Sequence, residues 1–298
     1  MIVEIATSLQ DFLVPSMPEN SKTTEYRIED LVYLMARLRD PDSGCPWDLK
    51  QTYKSIVSST IEEAYEVIDA IEAEDYVALK EELGDYLFQA VFYCQLASEE
   101  GRFDIASVID GLVAKLVKRH PHVFPDGTLK SRPDNSEYRN DQSAINRRWE
   151  ELKQEEREQK GLLGVFDDIP KALPALSEAQ KVQKRAARQA FDWDSVSPVY
   201  DKVQEEISEL KKAVSDGSIQ AVEDELGDLI FSCVNLSRHL KVDAETALRR
   251  ATKKFKDRYI VMQELARNSK EYQEFKDLTS SEMEELWRAA KLLRDHRN

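Results

Sequence analysis

Residues 58–71 read SSTIEEAYEVIDAI, and they lie within a longer run, residues 47–83, that contains neither Gly nor Pro. Apolar side chains recur in this stretch at Ile61, Ala64, Tyr65 and Ile68. Steps of three and four residues are typical of one face of an α-helix. The period-two alternation of a half-buried strand, bounded by turn residues, is missing along the chain. The sequence therefore predicts an all-α fold.

The helical pattern recurs along the whole chain, which has only nine Gly and ten Pro in 298 residues. The other stretches that show it are residues 25–39, 75–100, 104–119, 138–158, 177–190, 198–215, 219–240, 243–265 and 280–295. Groups of Gly, Pro and Asp separate many of these stretches, as expected for turns between helices.

An internal repeat organises these helices into two halves. Residues 62–66 read EEAYE and residues 205–209 read EEISE, while residues 82–88 read ELGDYLF and residues 225–231 read ELGDLIF. In both cases the second copy follows the first at the same interval along the chain. Because the order of elements is the same in both halves, we expect two tandem helical modules.

The predicted bounds of these modules follow from the composition. Residues 161–174 (GLLGVFDDIPKALP) form the best candidate for a linker, because Gly and Pro are concentrated there. We expect a loosely ordered extension at 1–24, an N-terminal module at 25–160 and a C-terminal module at 175–298.

The charge balance restricts the partners of the chain. A formal net charge of −15 argues against binding to nucleic acid, because such binding needs clustered Lys and Arg. An acidic protein can still act on nucleotides if a metal cation bridges the two sets of negative charge.

Cysteines and hydropathy indicate where the protein works. The three cysteines lie far apart and form no CxxC pair, which fits free thiols in a reducing compartment. No run of 18 apolar residues would span a membrane, and residues 1–20 lack the pattern of a signal peptide. We therefore expect a cytoplasmic protein without a membrane partner.

Each module carries acids at helical spacing, which places them on one helix face. In the N-terminal module these acids are Glu62, Glu63, Glu66, Glu82 and Asp85. In the C-terminal module they are Glu205, Glu206, Glu209, Glu225 and Asp228. Like charges at this spacing repel each other by a few tenths of a kcal/mol per pair, and a bound cation removes that cost. Mg²⁺ suits such a site because it prefers oxygen ligands.

The chain has 57 Asp and Glu residues, so acid pairs at helical spacing also arise freely and usually form a solvated face. Three features favour a metal site. The acids alternate with apolar residues that we expect to face the core, the pattern occurs in both modules, and Gly84 and Gly227 lie inside the second acidic segments. A mid-helix Gly costs about 0.5–1 kcal/mol relative to Ala, so its presence twice predicts close helix packing there.

Basic and aromatic residues of the C-terminal module can complement such a site. Lys254 and Arg258 share one helix face, as do Trp287 and Lys291. Taken alone, these pairs are typical of surface ion pairs and a packed Trp. A Trp one turn from a Lys can also stack on a base while the ammonium group reaches a phosphate. Asn235 lies two helical turns after Asp228, on the face that carries the acids.

Five segments together resemble the MazG family of nucleoside triphosphate pyrophosphohydrolases, in its two-domain bacterial form. They are residues 37–71, residues 82–93 (ELGDYLFQAVFY), residues 118–124 (KRHPHVF), residues 167–187 and residues 225–236 (ELGDLIFSCVNL). The resemblance implies tandem all-α modules and a homodimer in which helices of two chains complete each bundle. It also implies Mg²⁺-dependent hydrolysis of NTP to NMP and pyrophosphate.

The resemblance implies roles for the residues of the C-terminal module. Glu206, Glu209, Glu225 and Asp228 would be the metal ligands. Glu205 would orient or deprotonate the attacking water, and it forms the expected catalytic set with Glu206 and Glu209. Lys254, Arg258 and Lys291 would hold phosphates, with Trp287 and Asn235 near the nucleoside. The N-terminal module departs from this pattern because Phe92 replaces the amide, so we expect the main active site in the C-terminal module.

Other functions stay open at this stage. The chain lacks the Walker A motif GxxxxGK[ST], so it is not a P-loop NTPase that releases the γ-phosphate. A di-iron bundle needs a Glu three residues before a His, and none of the four His has one. A related all-α enzyme that cleaves dUTP or phosphoribosyl-ATP remains an alternative. A non-catalytic regulatory protein that binds nucleotide or metal is the other.

Overall fold

The computed structural model describes residues 25–132, 142–162, 164–268 and 275–295. The predicted extension at 1–24 lies outside the described residues. The described chain forms helices and no strand. These helices are α1 (Ile28–Leu38), α2 (Val57–Glu72), α3 (Tyr76–Glu99), α4 (Ile105–Arg119), α5 (Gln142–Gln159), α6 (Ala175–Arg188), α7 (Ser197–Asp216), α8 (Ile219–His239), α9 (Ala244–Asn268) and α10 (Ser280–Asp295). Single turns of 3₁₀ helix add Asp48–Lys50 and Phe275–Asp277. The all-α prediction is confirmed.

The run without Gly and Pro, residues 47–83, is less continuous than its pattern suggests. It contains a 3₁₀ turn, all of α2 and the start of α3. The break between the helices falls at Glu74, whose backbone has φ +56°. Asp75 then caps α3, and its carboxylate accepts hydrogen bonds from the backbone N–H groups of Val77 and Ala78, each at 3.0 Å. An Asp cap can thus start a new helix without Gly or Pro.

The second copy makes the same hairpin with residues better suited to it. Gly217 follows α7 with φ +74°, and Ser218 caps α8 through a 3.3 Å hydrogen bond from the backbone N–H of Ala221. When the two copies of the acidic segments are aligned, Gly217 matches Glu74 and Ser218 matches Asp75. The two acid-bearing helix pairs, α2–α3 and α7–α8, are therefore equivalent hairpins with equivalent turns.

The chain divides into two compact units, Met1–Leu152 and Lys153–Asn298. In the first unit, α3 packs against α1, α2 and α4. Its apolar core consists of Met35, Ile56, Val91, Phe92 and Leu96. One module thus lies largely in each unit, whereas the finer module bounds and the linker at 161–174 stay predictions.

In the second unit, α8 packs against α7 and α6, and α9 packs against α10. Its apolar core consists of Met262, Ala266, Leu278, Leu286 and Ala290. Polar side chains of α6 help to fix the packing, because Gln183 donates a 2.8 Å hydrogen bond to the backbone oxygen of Phe231 in α8. Helices α7 and α8 form one layer that carries acids, and α9 and α10 form a second pair.

The glycines of the acidic segments do not mark close packing within one chain, so the predicted close packing is wrong for contacts inside the chain. A Cβ added at Gly84 or at Gly227 would meet no other atom within 4 Å. Several apolar side chains expected to face the core are also exposed, including Ile61 (52%), Leu83 (50%) and Leu87 (44%). The described helices of the first unit leave these side chains uncovered.

None of the described helices combines the length and the apolar character that crossing a membrane requires.

Candidate metal centres

The α7–α8 hairpin brings acids from both helices into one group. Glu206 and Glu209 of α7 and Glu225 of α8 each offer a carboxylate oxygen, and these three oxygens lie within 4.8 Å of one another. Opposite ligands of an octahedral Mg²⁺ at 2.0–2.1 Å are about 4 Å apart. The three carboxylates are therefore close enough to one another to be candidate ligands of one cation.

Negative charge is crowded in this group. Glu206 is almost fully buried, with 3% of its surface exposed, whereas Glu209 and Asp228 are exposed. Loss of hydration raises the pKa of Glu225 above its usual value, and the charges of Glu209, Glu206 and Asp228 raise that pKa further. Asp228 lies outside the three-residue group but acts on it electrostatically. A cation at this position would relieve the repulsion.

Lys202 is a residue of this group that sequence reasoning missed. Its ammonium group forms ion pairs with Glu205 at 2.8 Å and with Glu206 at 2.7 Å. Hydrogen bonds to these two carboxylates raise the pKa of Lys202 above its usual value. The signal was present in the sequence, because Lys202 precedes the two acids by three and four residues. The matching position of the first copy is Ser59.

The N-terminal module contains the equivalent group on α2 and α3. Glu63, Glu66 and Glu82 offer oxygens that lie within 4.8 Å of one another. Burial raises the pKa of both Glu63 and Glu82, and neighbouring carboxylates raise each of them further. Glu62 and Asp85 are exposed and lie outside the three-residue group, although the charge of Asp85 contributes to the raised pKa of Glu63.

The N-terminal module also has a buried amide that sequence reasoning missed. Gln89 of α3 is 8% exposed, and its Oε1 atom has no hydrogen-bond partner among the described residues. It follows Glu82 and Asp85 by seven and four residues, which places it on their helix face. The matching residue of the second copy is Ser232, which is also 8% exposed.

The basic and aromatic residues of the C-terminal module lie on the second helix pair. The guanidinium carbon of Arg258 (α9) is 5.9 Å from the ring centre of Trp287 (α10), so the structure brings these two candidates together. Phe255 packs against the same indole, with 5.2 Å between ring centres. Lys254 and Lys291 are exposed on the same two helices.

In the first copy the corresponding Trp149 has different neighbours. Its ring centre lies 6.4 Å from that of His120, which in turn lies 5.6 Å from that of His122. An imidazole ring thus stands beside this indole.

Asn235 is buried in α8, with 8% of its surface exposed. Its Oδ1 atom accepts a 2.9 Å hydrogen bond from Nε of Arg238. Arg238 also forms an ion pair with Asp192, which precedes α7. In the first copy the position of Asn235 is taken by Phe92, which is 1% exposed and lies 5.4 Å below the guanidinium carbon of Arg39.

Fold and site together define an all-α protein with two carboxylate groups that could hold a metal ion. A profile of the MazG nucleotide pyrophosphohydrolase domain matches residues 51–124 and residues 196–260. The first segment contains α2, α3 and α4, and the second contains α7, α8 and most of α9. Both acid-bearing hairpins therefore lie in matched segments.

Whole-chain relatives agree with this match. The chain is 46% identical over 269 residues to the nucleoside triphosphate pyrophosphohydrolase of Escherichia coli strain K12, which covers 89% of this chain and 97% of that protein. It is 42% identical over 263 residues to the nucleoside triphosphate pyrophosphohydrolase/pyrophosphatase MazG of Thermotoga maritima, with 88% and 95% covered. The uncharacterized protein YabN of Bacillus subtilis is 36% identical over 285 residues, which is 95% of this chain and 55% of that protein.

The chain belongs to the MazG nucleotide pyrophosphohydrolase family. The resemblance inferred from the sequence motifs is thereby confirmed.

Proposed function

We propose that this chain hydrolyses nucleoside triphosphates, ribo- or deoxyribo-, between the α- and β-phosphates to a nucleoside monophosphate and pyrophosphate. Such an activity would serve the upkeep of the nucleotide pool. The observation that carries the proposal is the group formed by Glu206, Glu209 and Glu225, whose oxygens lie within 4.8 Å of one another. Family membership and the printed names of two whole-length relatives support it.

We propose Mg²⁺ as the cofactor, with Glu206, Glu209, Glu225 and Asp228 as its ligands. The donors fit this ion, because all four are carboxylates and no soft sulfur or imidazole ligand stands among them. When bound, Mg²⁺ polarises the phosphoryl oxygens, lowers the pKa of a nearby water and neutralises the leaving pyrophosphate.

Glu205 is the proposed residue that orients the attacking water and takes its proton. One of its oxygens is paired with Lys202 at 2.8 Å, and its side chain is 57% exposed. The other carboxylate oxygen is left to accept a hydrogen bond from water, since an ionised carboxylate is an acceptor only. Proton transfer to a positioned carboxylate of this kind typically contributes a factor of about 10²–10⁴ to the rate.

The remaining proposed contacts lie on α9 and α10. Lys254, Arg258 and Lys291 supply positive charge for the phosphates, which Glu and Asp side chains would otherwise repel. Trp287 supplies an aromatic face for the nucleoside, and Asn235 of α8 supplies hydrogen bonds. Support for a shared role comes from the 5.9 Å approach of Arg258 to the Trp287 ring.

The C-terminal module is the proposed main active site. The N-terminal group, drawn from Glu62, Glu63, Glu66, Glu82 and Asp85, is a proposed second metal site with weaker catalysis. Weaker catalysis in the N-terminal module is supported by the residue at the position that matches Asn235. Phe92 is an apolar core residue there, and it cannot donate a hydrogen bond to a substrate.

We also propose that the chain forms a homodimer and works in the cytoplasm, with no nucleic-acid or membrane partner. The homodimer is supported by the exposed apolar side chains on the α2–α3 hairpin, which a second chain would bury. They include Ile61, Leu83 and Leu87. Three free cysteines support a reducing compartment.

Product analysis tests the proposed activity. The full chain is incubated at millimolar Mg²⁺ with each of the common NTPs and dNTPs, and pyrophosphate, orthophosphate and the nucleotide product are quantified. We expect pyrophosphate and monophosphate in equal amounts, and no product from an Asp228→Asn control. Orthophosphate with diphosphate would contradict α–β cleavage. The absence of any product with every nucleotide would favour a non-catalytic binding role.

A further inference from the structure

The buried amide of Asn235 has a defined orientation. Nε of Arg238 lies 2.9 Å from its Oδ1 atom. A guanidinium group has donors only, so the amide atom that faces it must be the oxygen. The two N–H bonds of the amide nitrogen are then left for a different acceptor. In this arrangement Asn235 is a hydrogen-bond donor towards any ligand that it contacts.

A second residue holds Arg238 in place. Nη1 of Arg238 donates a 2.9 Å hydrogen bond to Oδ2 of Asp192, and Nη2 donates to Oδ1 of the same carboxylate. Such a two-point pair fixes the plane of the guanidinium group. Nε2 of His239 lies 3.0 Å from Oδ1 of Asp192 and forms a third member of the cluster. These hydrogen bonds, that of Arg238 first, lower the pKa of Asp192, so the carboxylate is ionised at neutral pH.

The first copy has neither an amide at the position that matches Asn235 nor the residues that would hold one there. The motif Asp192-Trp193-Asp194 is matched there by Pro46-Trp47-Asp48, so a Pro stands in place of Asp192. When the two copies of the acidic segments are aligned, Gln95 takes the position of Arg238 and Phe92 takes the position of Asn235. The cluster therefore occurs in the module that has Asn235 and is replaced in the module that has Phe92 at that position.

We propose that Asp192 and Arg238 are positioning residues, which hold Asn235 as a hydrogen-bond donor to an acceptor atom of the nucleoside part of the bound triphosphate. This inference rests on the proposed function. An amide in the flipped orientation would present its oxygen to the same acceptor, and two facing acceptors repel each other. The ion pair thereby converts a side chain that can either donate or accept into a donor.

A purely structural role would give the same contacts, because the same pair ties the segment before α7 to α8. Kinetics can separate the two. If Asp192 acts through Asn235, its loss has no further effect once Asn235 is gone. Independent structural effects would instead add, as they do for residues that do not share a function.

The experiment is a double-mutant cycle on the full chain, with Asp192→Asn, Asn235→Ala and the two combined. KM, kcat and Tm are measured at saturating Mg²⁺ with the triphosphate that the product assay finds fastest. The control is Glu99→Gln, which breaks the pair with Arg39 in the other module, where the atoms lie 2.6 Å apart and the side chains are 7% and 23% exposed. The Arg238 and Asp192 side chains are comparably exposed, at 16% and 26%.

We expect Asn235→Ala to raise KM about tenfold, the worth of one hydrogen bond to substrate. Asp192→Asn should raise KM in the same direction, and the double variant should match Asn235→Ala alone. Glu99→Gln should lower Tm and leave KM unchanged. Arg238→Lys, which keeps the charge but not the planar fork, should behave like Asp192→Asn and serves in its place if that variant fails to fold.

Three results would overturn the inference while leaving the proposed hydrolysis of triphosphates to monophosphate and pyrophosphate intact. They are an unchanged KM in Asn235→Ala, an unchanged KM in both Asp192→Asn and Arg238→Lys, or additive effects in the double variant. A wild-type chain that releases no pyrophosphate would overturn the proposed function itself, and the inference with it.

Discussion

At the scale of single residues, the two acidic groups are alike in composition but not in surroundings. Glu206 is 3% exposed and paired with Lys202, whereas its counterpart Glu63 is half-buried and has Ser59 at the matching position. The acids are thus a shared feature, and their neighbours differ. Catalysis should be lost unequally when the same acid is changed in each module.

Matched substitutions of Glu209 and Glu66 test this inequality. We expect Glu209→Gln to lower the rate of pyrophosphate release by about 100-fold or more, because it removes a proposed metal ligand and its charge. Glu66→Gln should cost much less, because it changes the module that has Phe92. Initial rates with Mg²⁺ and a saturating triphosphate provide the measurement. Equal losses from both variants would be incompatible with a main site in the C-terminal module.

Glu225 offers a test of the electrostatics that does not depend on turnover. Its folded-state pKa is raised, so the group favours the folded state below its ordinary pKa and loses that contribution as pH rises through the raised value. In the presence of a chelator, Glu225→Gln should therefore raise Tm near neutral pH.

The difference in Tm between Glu225→Gln and the wild type should shrink as pH falls. It should vanish below the ordinary carboxyl pKa of about 4.5, where residue 225 is neutral in both proteins. Added Mg²⁺ should raise the Tm of the wild type more than that of Glu225→Gln. Thermal melts at several pH values measure both effects. A variant that is less stable than the wild type at neutral pH with chelator would contradict the inferred repulsion.

At the scale of elements, the turns of the two hairpins have the same backbone conformation but different residues. A residue of the turn after the first acidic helix has positive φ in both copies, +56° at Glu74 and +74° at Gly217. A side chain in this region costs roughly 1–2 kcal/mol, and Gly avoids that cost. The N-terminal hairpin therefore carries strain that the C-terminal hairpin lacks.

Exchange of the turn residues should change stability in opposite directions. We expect Glu74→Gly to stabilise the first unit by about 0.5–1 kcal/mol, since relief of strain exceeds the added freedom of the unfolded chain. Gly217→Ala should destabilise the second unit by about 1 kcal/mol. Urea unfolding, followed in each unit by hydrogen exchange, measures both. Destabilisation by Glu74→Gly would show that the Glu side chain stabilises this turn.

At the scale of the whole molecule, one chain leaves apolar surface beside its acidic groups. Leu83 and Leu87 of α3 are half-exposed, and the helix surface at Gly84 is open. An apolar face of this kind is costly in water and is typical of an interface. The open glycine also permits another backbone to approach closely, which would account for its position inside a helix.

A charge placed on this face should separate the proposed dimer. We expect the wild-type chain to show twice the chain mass of 34.3 kDa by light scattering at micromolar concentration. Leu87→Lys should shift the mass towards that of a single chain. Phe103→Lys, at another exposed apolar residue of the first unit (47% exposed), is the matched control and should leave the mass unchanged. A wild type that is monomeric at this concentration would contradict the homodimer.

Much of the fold was predictable because helices depend on local spacing. The interval of three and four residues at Ile61, Ala64 and Tyr65 predicts α2, and the same rule predicts the other helices and both acid sets. The end of α2 was harder to predict, because a non-Gly residue with positive φ leaves no composition signal. Lys202 was predictable from its distance to Glu205, since both lie on one helix.

The sequence by itself determined the all-α class, the two copies and the acids that meet in each hairpin. These properties depend on contacts within a helix or across one short turn, where residue spacing sets the geometry. Only the tertiary structure decided that Asp192 holds Arg238, 46 residues away, and through it the amide of Asn235. It also decided that the face beside Gly84 stays open. Contacts of this kind depend on how helices pack in space, and residue spacing along the chain does not determine which distant residues come together.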